Sequence, residues 1–259
     1  MNVLIPKPEQ ITNGSQTAYR GIDLKLLGGG FQGDMLFHEN YNVTKNVRGV
    51  AVYGDNYRWP YNTIPYDISA ITDIHDQKMV TNAMHILMYD VGTPISGSEG
   101  RVPCVYFRPR GANDQAYLKI QYGTGCSAHV GYVSHRQSEI YLQKDGCFET
   151  GVIQHELMHI LSFHHEQCRP DRDNYVQVNW ENIENGKQYS FEKYTWGSSV
   201  YNQGTTYDYA SIMHYFGNAF SKNGKPTMVP LKAGVVLHGA RVLSPTDIFE
   251  VRQLYNCNA

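Results

Sequence analysis

The residues best placed to do chemistry are His155-Glu156-Leu157-Met158-His159. On a helix, positions i and i+4 lie one above the other, so both imidazoles leave from one face at a spacing that fits a single zinc ion. Glu156 sits about 100° further round the helix. There its carboxylate can reach a water polarised by the metal without being a ligand itself. This arrangement suits hydrolysis: the ion lowers the pKa of water and the carboxylate takes the proton. Two more histidines follow, His164 and His165. A continuous helix cannot bring residue 165 beside 155 and 159, so the chain must turn sharply near Ser162 if a third imidazole is to join them.

The element that carries the pair is a helix from about Thr150 to Leu161. Its residues Ile153, Leu157, Ile160 and Leu161 fall at i, i+4, i+7 and i+8, and this stripe faces a core. Upstream, Asp76 to Tyr89 has apolar residues at helical spacing, Met79, Val80, Ala83, Ile86 and Leu87. Strands are expected at Thr63 to Ile68, Val105 to Phe107, Leu118 to Tyr122 and Glu139 to Gln143, from their β-branched, aromatic or alternating residues. After residue 165 the chain is rich in Asn, Tyr, Gly and Ser, and a short helix from about Pro245 to Leu254 closes it. Residues 1 to 49 hold no cysteine and little periodicity, and they contain a glycine run from Gly28 to Gly30. They read as a loosely structured leader. Mixed strands and helices followed by an irregular half imply an α+β domain with two lobes.

Composition narrows the function classes. The 259 residues carry 22 Lys+Arg against 24 Asp+Glu, with 41% hydrophobic and 18% charged residues, a globular profile. A net charge of −2 without a long basic run argues against nucleic acid as a partner. No apolar run approaches the roughly 18 to 20 residues of a membrane span. The cysteines are Cys104, Cys126, Cys147, Cys168 and Cys257, and no two are spaced C-x-x-C. For a secreted protein the simplest reading is two disulfides and one free thiol; five reduced thiols is the cytosolic alternative. Sequons at Asn13 and Asn42 lean towards secretion. The first residues lack the basic-then-apolar pattern of a signal peptide, so a signal would have been removed or lie upstream.

The run from Gln154 to Val176 closely resembles the astacin family of metzincin zinc endopeptidases, whose pattern is H-E-x-x-H-x-x-G-x-x-H-E followed by a segment like R-x-D-R-D. The register selects His165 as third ligand and leaves His164 as a packing residue. The pattern's glycine is Ser162 here, a non-glycine residue at a left-handed turn. Ser211-Ile212-Met213-His214-Tyr215 is similar to the family's Met-turn. The resemblance places Met213 beneath the metal as packing and makes Tyr215 the tyrosine that assists the developing oxyanion. Phe31-Gln32-Gly33-Asp34 resembles the propeptide motif F-x-G-D, whose aspartate binds the zinc in place of water. Val50 to Trp59 resembles the mature N-terminus, which places activation near Gly49–Val50, just after Arg48, with Glu166 near the new amino group. Disulfides Cys104–Cys257 and Cys126–Cys147 follow from the same resemblance, and Cys168 is left unpaired.

The resemblance implies a metzincin-like α+β fold, with a mixed sheet and the active-site helix in an N-terminal lobe and an irregular C-terminal lobe ending in a helix. It implies a propeptide over residues 1–49 and a catalytic domain over 50–259, a latent, secreted, monomeric zinc endopeptidase whose metal is held by His155, His159 and His165 with Asp34 as the inhibitory ligand. Glu156 is general base and then acid. Peptide substrates are expected along an edge strand, the segment Glu139 to Gln143, and a trypsin-like protease is the expected activator. A non-catalytic binding module on the same scaffold is the competing reading; it would show a lost ligand or base, and neither is lost.

Overall fold

A computed structural model describes residues 3–8, 32–37, 51–52, 54–194 and 203–257. Phe31, Arg48, the Gly49–Val50 bond and the sequons at Asn13 and Asn42 lie outside the described residues. In chain order the elements are β1 (Met35–Leu36), β2 (Thr63–Asp67), α1 (Ile74–Val91), β3 (Thr93–Pro94), β4 (Arg101–Val102), β5 (Tyr106–Pro109), β6 (Tyr117–Tyr122), β7 (Ser127–His129), β8 (Gln137–Leu142), α2 (Thr150–Ile160), β9 (Val176–Val178), β10 (Met228–Pro230) and α3 (Pro245–Leu254).

Six strands form one sheet in the order β1-β7-β8-β6-β2-β5, with only the β7–β8 pair antiparallel. The helices α1 and α2 pack together, and their inner residues Val80, Leu87, Ile153, Leu157 and Ile160 join Ile64, Leu118, Ile120 and Ile140 of the sheet in the main core. Asp73 caps α1, its side chain accepting from the His75 N–H at 2.8 Å. Helix α2 is pressed in from all sides: every residue from Gly151 to Ile160 is buried. Gly151 is required there, because a Cβ would lie 2.3 Å from the Arg241 carbonyl oxygen. Beyond residue 165 the chain runs mainly through short 3₁₀ turns around a second core of Val176, Ile183, Phe191, Tyr215, Phe220 and Met228, with β9 and β10 as a two-stranded ribbon. The closing helix α3 begins at a capping box between Ser244 and Asp247, and Val251, Leu254 and Tyr255 reach back to the main core.

Both disulfides form, Cys104–Cys257 and Cys126–Cys147, and Cys168 is free and buried. Two expectations change. The segment Glu139 to Gln143 is not an edge: β8 is hydrogen-bonded to β6 on one side and β7 on the other. Its alternating burial arises because one sheet face is covered, which says nothing about who sits beside it. Nor are all described parts of residues 1 to 49 loose. Ile5 pairs with Arg101, and β1 lies parallel to β7, with Ala128 N–H donating to Asp34 O at 2.8 Å and Val130 N–H to Leu36 O at 3.1 Å. Gln32 to Met35 are fully enclosed by this docking. Among the described residues no helix is long and apolar enough to cross a membrane.

Candidate metal centre and catalytic site

The first two imidazoles leave α2 one turn apart, with ring centres 4.8 Å from each other. The third arrives through the turn that follows. Ser162 adopts φ 75°, its N–H donates to His159 O at 2.8 Å, and Phe163 N–H donates to Met158 O at 3.0 Å. These are the two bonds of a Schellman C-cap with a left-handed residue at the reversal. The Ser162 hydroxyl donates to Tyr57 O at 2.6 Å, which ties the turn to the chain entering the domain. The His165 ring then stands 4.9 Å from that of His159 and 5.4 Å from that of His155.

Each imidazole is aimed by what its outer nitrogen holds. His155 Nδ1–H donates to Ile212 O at 2.8 Å, and His159 Nδ1–H donates to Phe163 O at 2.7 Å. His165 Nδ1–H faces Gln32 Oε1 at 3.3 Å. This fixes the tautomers and turns all three Nε2 lone pairs inward. Asp34 fills the space between them: its Oδ2 is 3.2 Å from His155 Nε2, and its Oδ1 is 3.2 Å from His165 Nε2 and 3.7 Å from His159 Nε2. One ligand atom from each of the four lies within 4.8 Å of the others, and all four residues are buried. His159 Nε2, Asp34 Oδ1 and both Glu156 carboxylate oxygens are enclosed without a hydrogen-bond partner. Buried polar atoms converging without partners are what a cation would satisfy, and three imidazoles with one carboxylate is a zinc donor set. The site therefore fits zinc.

Electrostatics agree with neutral ligands. Burial lowers His165 to about 4 against the opposing pull of Asp34, so its imidazole is uncharged at neutral pH. Burial alone would raise Asp34, but His165, His155 and His159 outweigh it and hold the carboxyl well below the usual range. Glu156 is pushed well up, first by burial and then by the Asp34 charge.

The other expected residues fall around this centre. Met213 is fully buried in the main core, and its carbonyl accepts the Glu166 N–H at 3.0 Å. The Tyr215 ring lies 4.6 Å from His165, and its hydroxyl donates to the Gln32 carbonyl. Glu166 Oε1 accepts from Asp208 N–H at 2.7 Å and lies 3.5 Å from Arg169 Nη1. Burial nonetheless raises its carboxyl, with Arg169 opposing. His164 packs, as expected, beside Met35 and Tyr194. Burial raises the Cys168 thiol to about 12, with Arg172 and the neighbouring Gln32 side chain pulling the other way.

Two positioning residues escaped the sequence reading. Asp247 accepts from the Ser211 hydroxyl at 2.6 Å and the Ile212 N–H at 2.9 Å, and so fixes the carbonyl that aims His155. Gln32 contacts both His165 and Tyr215. Its one signal was its place inside the Phe31–Asp34 tetrapeptide.

A buried helix bearing two imidazoles, a reversal delivering a third and a methionine-containing turn whose Ile212 carbonyl holds His155 define a metzincin-type metal domain. The family model for astacin, a family of peptidases, matches residues 51–256. The zinc metalloproteinase nas-13 of Caenorhabditis elegans is 36% identical over 227 residues, 88% of this chain and 46% of that protein. The low choriolytic enzyme of Oryzias latipes is 35% identical, over 87% of this chain and 78% of its own length. The solved structure of high choriolytic enzyme 1, a hatching enzyme zinc-protease from Oryzias latipes, superimposes with a TM-score of 0.66 at 34% identity, covering 78% of this chain and 94% of that one. The chain belongs to the astacin family. It spans less than half the length of several curated relatives, 46% of nas-13 and 39% of Blastula protease 10 from Paracentrotus lividus.

Proposed function

We propose that the chain is a secreted zinc endopeptidase in latent form, with residues 1–49 as inhibitory propeptide and 50–259 as catalytic domain. The observation that carries the reading is the Asp34 carboxylate lodged among three inward-facing Nε2 atoms. His155, His159 and His165 would hold the zinc, and Asp34 would occupy the position a nucleophilic water needs. When bound, the ion supplies Lewis acidity, lowering the pKa of water and polarising the scissile carbonyl. Glu156, a helical neighbour of His155 with both oxygens unpartnered, takes the proton from the attacking water and delivers it to the leaving amine. Tyr215, freed from the Gln32 carbonyl, turns its hydroxyl to the oxyanion.

Removal of the N-terminal segment would bare the outer edge of β7, where a peptide substrate can add as an extended strand. Activation falls near Gly49–Val50, where a trypsin-like protease would cut just after Arg48, and Glu166 receives the new amino group. Two disulfides suit an oxidising compartment, consistent with secretion. The test is Glu156→Gln in processed protein. Casein cleavage should fall at least about a thousandfold while one equivalent of zinc stays bound. Retained activity would sink the mechanism.

A further inference from the structure

We propose that the pocket filled by the Gln32 side chain is a substrate side-chain subsite that selects an uncharged amide, glutamine or asparagine. This rests on the reading of the chain as a latent endopeptidase. Gln32 is fully buried two residues from Asp34, and its side-chain oxygen lies against His165, a member of the metal centre, and Tyr194. The groups around that side chain would be uncovered when residues 32–37 leave, and the space it fills would become a pocket. They are polar. Gln32 Oε1 accepts from the Tyr194 hydroxyl and faces His165 Nδ1–H at 3.3 Å, so two donors converge on one oxygen. At its side, Cys168 is fully buried and its thiol donates to Ser190 O at 3.4 Å. Gln32 Nε2 and Ser190 Oγ are both buried without a hydrogen-bond partner. The occupant itself carries both a donor and an acceptor, with its oxygen bound by the Tyr194 hydroxyl, and the hydroxyl of Ser190, whose carbonyl holds Cys168, has no partner either.

Charge decides against an acid. Arg172 is the guanidinium that acts on Cys168. It already donates to Asp173 Oδ1 at 2.7 Å and to the Gln167 and Phe191 carbonyls. Lys193 is likewise paired with Asp173. Neither offers a free positive charge, and burying an unpaired carboxylate is expensive. An apolar side chain would leave the Tyr194 and His165 donors unsatisfied, and a site built to hydrogen-bond rejects analogues that lack the group. A glutamine-sized amide meets both conditions.

Two arms test this. Processed protein is given a peptide library randomised on both sides of the scissile bond. Glutamine or asparagine should be favoured at one position by about tenfold or more over glutamate, aspartate and leucine. Tyr194→Phe should erase the preference, mainly through KM. Preference for acidic or apolar residues at every position overturns the proposal. In the second arm, iodoacetamide labelling is read by mass spectrometry. Cys168 should be unlabelled in the unprocessed chain and labelled after processing, and Cys168→Ser should remove the adduct. A glutamine-bearing product peptide should protect it and the glutamate analogue should not. Equal labelling before and after processing, or equal protection by both peptides, refutes the subsite. Cleavage of no peptide at all would refute the endopeptidase reading, and the protection arm would still decide the pocket's chemistry.

Discussion

At the scale of single residues, the site depends on which nitrogen of each imidazole points inward. His155 and His159 give their outer N–H to backbone carbonyls of the catalytic part of the chain, whereas His165 faces a side chain of the N-terminal segment, Gln32. One short segment thus supplies the carboxylate at the centre and the partner of the third ligand. Asp34→Ala should remove the block and leave an unprocessed chain that cleaves fluorogenic casein at least about tenfold faster than the wild-type unprocessed chain. Full latency in that variant would refute the switch. His155, His159 and Glu156 were legible because their spacing on one helix is itself the chemistry, whereas His165, beyond the helix, was legible through the register of the family pattern. Asp34 was legible through a tetrapeptide. The contacts of Gln32 were not, since Tyr194 lies 162 residues away and only the folded chain brings the two together.

At the scale of elements, the reversal after α2 carries the most weight per residue. A helix ends and the chain turns back within three residues, and the residue at the turn is a serine at φ 75°. A side chain there costs roughly 1 to 2 kcal/mol in backbone strain. The Ser162 hydroxyl offsets about 1 kcal/mol of that through its bond to Tyr57 O. The two substitutions should therefore differ. Ser162→Gly loses the bond but relieves the strain, leaving stability within about 1 kcal/mol of wild type, while Ser162→Ala loses the bond and keeps the strain, and falls by about 1 kcal/mol or more. Urea denaturation of the two variants measures the gap; a glycine variant less stable than the alanine one would refute the account. Helices α1 and α2 were readable from 3.6-residue periodicity, and the short closing helix α3 was expected over the residues it occupies, Pro245–Leu254. The sheet order was not. Alternation along β8 reports its two faces, while its neighbours are chosen across the sheet, and β7, only three residues long, is too short to leave a pattern.

At the scale of the molecule, the end of the chain is fastened to its beginning. Val251, Leu254 and Tyr255 of the closing segment join the core built by α1, α2 and the sheet. Arg58 donates to Leu254 O at 3.0 Å and Asn62 to Tyr255 O at 2.9 Å, and Cys257 is bonded to Cys104 just ahead of β5. Asp247, in the first turn of the same closing helix α3, holds the turn that aims His155. The two bridges should then contribute unequally. Cys104–Cys257 closes a separation of 153 residues and Cys126–Cys147 one of 21. Loop-closure entropy assigns about 5 kcal/mol to the first and about 3 kcal/mol to the second. Paired serine substitutions, Cys104→Ser with Cys257→Ser against Cys126→Ser with Cys147→Ser, should reproduce that order in chemical denaturation. The first pair should also weaken zinc retention against a chelator, because releasing α3 loosens the Asp247 contact through which His155 is held. Equal losses from both pairs, with zinc retention untouched, would mean that the second core holds the metal turn without help from the chain's end.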